Sequence, residues 1–131
     1  MLTREQILQA DDLTKELVHC PEWGGDVYVR TLTGEERDRF EGDMLLDPEE
    51  DQRTRFANLR ARLAVLALCD EKGMPLFFLH DLEALGKKSS IALDRVFDVA
   101  RKLSGMRQED VETLTKNFVA VPDAASGSAS P

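Results

Sequence analysis

Cysteine is scarce in this chain: Cys20 and Cys69 are the only two among 131 residues. That is too few for the disulfide framework of a small secreted domain. Both flank apolar segments, so buried, inert thiols are the favoured reading. Long apolar runs are missing as well. The longest, Leu63 to Cys69 and Pro75 to Leu79, fall far short of the roughly 18 residues that a bilayer-spanning helix needs. The opening residues Met1-Leu2-Thr3-Arg4-Glu5 lack a charged region leading into an apolar stretch and a small-residue cleavage site, which makes the cytoplasm the expected compartment. Basic charge is in deficit, with 17 Lys+Arg against 25 Asp+Glu and a formal charge of −8. Nucleic-acid binding draws its free energy from Lys and Arg displacing counterions, so this balance argues against it and favours proteins as partners. What is present suffices for one modest domain: 42% hydrophobic residues can build a core, and 32% charged residues of both signs make an ordinary soluble surface.

The local signals predict a mainly helical α+β domain with an N-terminal β-hairpin packed beside four or five helices, spanning residues 1–118, and a flexible tail over residues 119–131. Thr3-Arg4-Glu5-Gln6 fits a capping box for a short peripheral helix from Arg4 to Ala10, with Leu2 and Ile7 placed as a hydrophobic staple. Lys15 to Cys20 and Asp26 to Leu32 are rich in β-branched and aromatic residues and flank Pro21-Glu22-Trp23-Gly24-Gly25, the pattern of a hairpin. Thr33-Gly34-Glu35-Glu36 is a second capping box, opening a helix from Gly34 to Leu46 with Phe40 and Met44 on its buried face. Asp47 and Pro48 then suit the N-cap and first turn of another helix, whose apolar positions run through Phe56, Leu59, Leu63, Leu66, Ala67 and Leu68. Asp70-Glu71-Lys72-Gly73 breaks it, and Pro75 makes Met74 to Leu79 a short extended run, a candidate second β element. A helical turn or two at Asp81 to Leu85 ends at Gly86. Ser89 or Ser90 caps the next helix, with a stripe of Leu93, Val96, Phe97, Ala100 and Leu103. Ser104-Gly105 stops it, and a last helix is expected over Gln108 to Phe118.

Catalysis has little to stand on. His19 and Cys20 are adjacent in a predicted strand, so their side chains point to opposite faces and do not form a nucleophile–base pair. His80 lies beside Asp81 at a helix start, where acids serve as caps and dipole partners. No metal-ligand spacing and no Gly-rich phosphate loop is present, so no cofactor, metal or catalytic residue is expected. Leu103-Ser104-Gly105-Met106 resembles a helix-turn-helix corner, but Glu109, Asp110 and Glu112 would face phosphates there, which favours a plain helical corner. The stretch Glu35 to Arg55 carries nine acidic and four basic residues. It reads either as a solvated helix face or as an acidic surface that selects a basic helical partner. Trp23 in the hairpin loop, Tyr28, and Phe77 and Phe78 in an extended run are the apolar anchor candidates.

Taken in order, these signals resemble the tail assembly chaperones of long-tailed, siphovirus-type bacteriophages. The likeness is carried by Pro21 to Arg30, then Leu32 to Asp38 with Phe40 and Glu41, then Leu68 to Phe77, Asp81 to Lys88, and Leu103 to Gly105 with Glu109 to Glu112. It implies a mainly helical, non-enzymatic protein of the infected bacterial cytoplasm that is absent from the mature virion. Such a protein coats and solubilises the tape-measure protein, promotes polymerisation of the tail-tube (major tail) protein, and self-associates. A frameshifted longer form carries an additional C-terminal domain. Neither nucleic acid nor a membrane is an expected partner. The partner-binding residues proposed on this reading are Trp23, Tyr28, Glu35, Glu36, Asp38, Glu41, Phe77 and Phe78. The competing reading is a small interaction module or helix-turn-helix-type transcriptional regulator.

Overall fold

The computed structural model describes residues 1–46, 58–107 and 109–110. The expected cap at Asp47 and Pro48, Phe56, the last helix to Phe118 and the 119–131 tail lie outside the described residues, as does the side chain of Met44. The hairpin forms where the β-branched runs place it. Strand β1 (Lys15–Cys20) pairs antiparallel with β2 (Gly25–Arg30), from Lys15 opposite Arg30 to Cys20 opposite Gly25. A 3₁₀ turn at Pro21–Trp23 joins them, and Gly24 closes it at φ 78°, its N–H donating to the Pro21 carbonyl at 3.1 Å. That left-handed position is what glycine supplies without a Cβ clash. Val18, Cys20 and Val29 are buried, whereas Leu17 and His19, on the opposite face, are exposed. The expected separation of His19 from Cys20 therefore holds.

Helix α1 (Arg4–Gln9) has its capping box: the Thr3 hydroxyl accepts from Gln6 N at 3.2 Å, and the Gln6 side chain accepts from Thr3 N at 2.9 Å. It buries none of its residues, and the staple residues Leu2 and Ile7 are both exposed. Helix α2 (Gly34–Leu46) starts with the reciprocal bonds of Thr33 and Glu36. Helix α3 (Leu59–Ala67) is central, with Ala61, Leu63, Ala64, Val65 and Ala67 buried.

The sequence pattern carries the α3 helix through Leu68, but the helix ends at Ala67. Leu68–Cys69 form strand β3, antiparallel to β2 with Val29 opposite Leu68 and Tyr28 opposite Cys69, giving the sheet order β1-β2-β3. The free edge of β2 satisfies backbone groups that would otherwise be buried unpaired, and this outweighs the helical preference of an apolar run. The chain then reverses around Asp70, whose carboxylate accepts from Lys72 N at 2.8 Å and Met74 N at 3.0 Å. The second β element anticipated at Met74 to Leu79 shrinks to one bridge between Cys69 and Pro75. Proline has no N–H with which to extend the ladder.

A 3₁₀ turn (Leu79–Asp81) leads into α4 (Leu82–Gly86), and α5 (Ser90–Leu103) follows. Of the stripe read from the sequence, helix α5 buries Leu93, Val96 and Ala100 against α3 and the sheet and packs Phe97 and Leu103 partly buried beside them; Ala92, outside that stripe, is buried too. Ser89 caps it, its hydroxyl accepting from Ala92 N at 3.3 Å. Replacing Ser89 by Ala is expected to remove about 1 kcal/mol of stability and to lower the midpoint of a circular-dichroism melt by roughly 3–6 °C. An unchanged midpoint would mean that solvent caps this helix equally well. The Leu103-Ser104-Gly105-Met106 corner is tied inward: the Ser104 hydroxyl accepts from Leu32 N at 2.9 Å, and Met106 is buried.

Candidate client-binding surface

The Met74 to Leu79 segment crosses the outside of the fold and divides its alternate side chains. Phe77 packs partly buried against the core, while Phe78 and Leu79 remain exposed at 63% and 61%. Two clefts result, and Phe77 lines both. The narrower one, about 160 Å³, lies between α2, α3 and this segment. Phe40, Val65 and Leu66 are at its base, Phe78 and Leu79 are on its wall, and Arg39 and Asp43 are at its rim. The wider one, about 440 Å³, runs between the hairpin turn and α4, lined by Trp23, Phe77, Ala84 and Leu85 with Glu22, Asp81 and Lys88 around them.

Of the anchor candidates, the fold therefore brings Trp23 and Phe77 together in the wider cleft and Phe77 and Phe78 together in the narrower one. Trp23 packs partly buried on the core, and its indole N–H is buried without a hydrogen-bond acceptor among the described residues. Phe78 stacks on His80, with ring centroids 5.8 Å apart. Tyr28 stands elsewhere, half-buried on the outer face of the sheet with the Lys15 ammonium 5.5 Å from its ring centroid.

The acidic candidates divide by environment. Glu35 and Asp38 are exposed on α2. Glu41 is half-buried and pairs with Arg37 at 3.3 Å. Glu36 faces inward and holds Arg30 with two bonds of 2.8 and 2.6 Å. Burial by itself would raise the Glu36 carboxyl; the Arg30 guanidinium and the Thr33 backbone N–H outweigh that and hold it below its ordinary value. Its carboxylate is thus engaged within the fold. At the wider cleft Glu22 is likewise engaged, bonded by Arg95 at 2.6 Å, and that bond keeps its carboxyl below the usual range.

The sequence reading missed Leu79, Arg39 and Lys88 as surface elements, and Phe40, Val65 and Leu66 as a cleft base. Leu79 closes the same apolar run as Phe77 and Phe78, which was its only signal. Arg39, Phe40, Val65 and Leu66 become neighbours only when α2 and α3 pack, and Lys88 joins its cleft only when α4 meets the hairpin turn. Both cysteines are buried, and among the described residues no group of His, Cys, Asp or Glu is placed to hold a metal ion. No described helix is long and apolar enough to cross a membrane.

A three-stranded antiparallel sheet carrying five described helices is the fold of a solved tail assembly chaperone, that of bacteriophage HK97. The two share 24% sequence identity and superpose with a TM-score of 0.57, over 76% of this chain and 94% of that one. No curated protein matches the sequence significantly. The profile of the phage tail assembly chaperone family matches residues 3–117, and the chain belongs to that family. The family is one of assembly chaperones, whose partners are phage tail proteins.

Proposed function

We propose that this chaperone binds and solubilises the tape-measure protein in the host cytoplasm, many self-associating copies shielding one client until the tail-tube protein polymerises around it. It leaves before the virion is complete, and a frameshifted longer form carries the tube-recruiting extension. The observation that carries the reading is the wider cleft, which joins Trp23 to Phe77 beside Lys88, whose charge has no ion-pair partner among the described residues. A tape-measure protein is a long helical chain with apolar stripes, and burying those stripes against such clefts removes the surface through which it aggregates. Individually weak contacts repeated along one client give avidity while still letting the tube displace each copy. Exposed Glu35 and Asp38 bias the choice toward basic helical segments.

The test is co-expression with the tape-measure protein of the same phage, read as the fraction of client in the soluble lysate. Trp23→Ala is expected to weaken each contact by about 2 kcal/mol, roughly 30-fold in affinity, and to leave most of the client in the pellet. Lys88→Glu, on the surface, serves as the variant that does not disturb the core. Undiminished solubilisation by both variants would remove the wider cleft from the reading.

A further inference from the structure

The exposed large apolar side chains of the described residues fall into two groups. Met1, Leu2, Ile7, Leu8, Leu13 and Leu17 lie on the N-terminal arm and β1, and Met74, Leu76, Phe78 and Leu79 on the segment walling the narrower cleft; only Ile91 stands apart. We propose that the arm of one copy, with Ile7 and Leu8 of α1, docks in the narrower cleft of a second copy, so that copies add head to tail. This rests on the self-association proposed above and assigns its contact.

Three observations commit the cleft to this occupant. A six-residue helix is far below the roughly 12 residues at which an isolated helix becomes even marginal in water. Yet α1 has a complete capping box, buries nothing, and leaves Ile7 at 58% and Leu8 at 67% exposure. Its own cleft is not where those side chains reside, since all of them face solvent. The cleft's volume of about 160 Å³ over Phe40, Val65 and Leu66 suits branched aliphatic side chains entering as knobs, with Phe78 and Leu79 extending the wall. The charges also match. Asp11 and Asp12 follow α1 directly and Arg39 stands on the cleft rim, and among the described residues none of the three has a hydrogen bond or ion pair through its side chain.

Arm and cleft are different surfaces of one molecule, so a single arm–cleft contact leaves one free arm and one free cleft, and unless two copies exchange arms reciprocally it propagates into an open chain. That geometry sets successive copies along a line, the arrangement an extended client requires.

Sedimentation velocity of the full-length protein tests the assignment. The wild type is expected to form polymers that grow with concentration. Ile7→Asp with Leu8→Asp, and separately Phe78→Asp with Leu79→Asp, are each expected to sediment as monomers. Mixed in equal amounts, these two variants should form dimers and nothing larger, because one retains an intact cleft and the other an intact arm. Arg39→Asp alone should weaken assembly about tenfold, and Asp11→Arg with Asp12→Arg in the same chain should restore it. All the substituted side chains in the two aspartate pairs are exposed, so their melts should match the wild type. A wild type that stays monomeric, either doubly substituted variant polymerising normally, or a mixture without heterodimers overturns the proposal. If the cleft instead holds a client helix, the Phe78 and Leu79 variant polymerises normally but no longer solubilises the tape-measure protein. Solubilisation by the wild type is read in parallel, so assembly failing with solubilisation intact removes the arm contact and leaves the client reading standing.

Discussion

Glu36→Gln is expected to cost roughly 2–4 kcal/mol of folding stability at neutral pH, because it strands a guanidinium that the fold has taken out of water. Arg30 is 7% exposed at its side chain and Glu36 19%, and two hydrogen bonds of 2.8 and 2.6 Å join them. Glutamine retains the reach to the Thr33 N–H that completes the capping box, so the loss reports the charge rather than the cap. The effect has a pH signature. The folded-state carboxyl is held below the ordinary value of 4.5, so on acidification the unfolded chain takes up the proton first. The pair's contribution is therefore complete above about pH 4.5 and is lost as pH falls through the lower folded-state value. Urea midpoints of wild type and variant should accordingly lie far apart at pH 7 and converge on acidification. A constant separation down to pH 3 would mean that the carboxylate's charge is not what stabilises the pair.

The local sequence marks Glu36 as the capping-box acid but gives no sign of its inward pairing with Arg30. The capping box Thr33 to Glu36 was legible, as was that of Thr3 to Gln6, because a cap depends on residues three apart. The hairpin was legible from Gly24-Gly25 between β-branched runs, and α5 from its stripe, since both patterns repeat within one element. What turns Glu36 inward is Arg30 on the preceding strand, six residues away across an element boundary. An acidic run therefore looked like uniform surface while one member served the interior. Strand β3 failed for a related reason: Leu68 and Cys69 fit a buried helix as well as a buried strand, and only the vacant edge of β2 decides between them. The alternation of Phe77 and Phe78 was visible in an extended run, but the clefts it separates were not. The base of the narrower cleft comes from α2 and α3, and the wider cleft lies between the hairpin turn and α4, elements distant in sequence.

Phe40→Ala is expected to be the most damaging single truncation, at about 3–5 kcal/mol. The Phe40 ring is 1% exposed and is among the largest fully buried side chains of the described residues. A domain of this size has only about 5–15 kcal/mol to lose, so the melting midpoint should fall by roughly 10–20 °C. Phe40→Leu retains most of the volume and should cost about 1 kcal/mol. The two substitutions separate packing from docking, because Phe40 lies at the base of the narrower cleft as well as in the core. If Ile7 and Leu8 of a neighbouring copy rest on that base, the leucine variant, still well folded, should assemble more weakly than the wild type, since the cleft lining that the buried ring supports is altered. A fall of only a few degrees for Phe40→Ala would mean that α2 and α3 collapse onto the vacated space. The cleft would then narrow, and assembly should fail even in the fraction that remains folded. Under the proposed arm contact, stability and self-association would be coupled through one aromatic ring: the side chain that packs α2 on α3 also supports the cleft in which the next copy would dock.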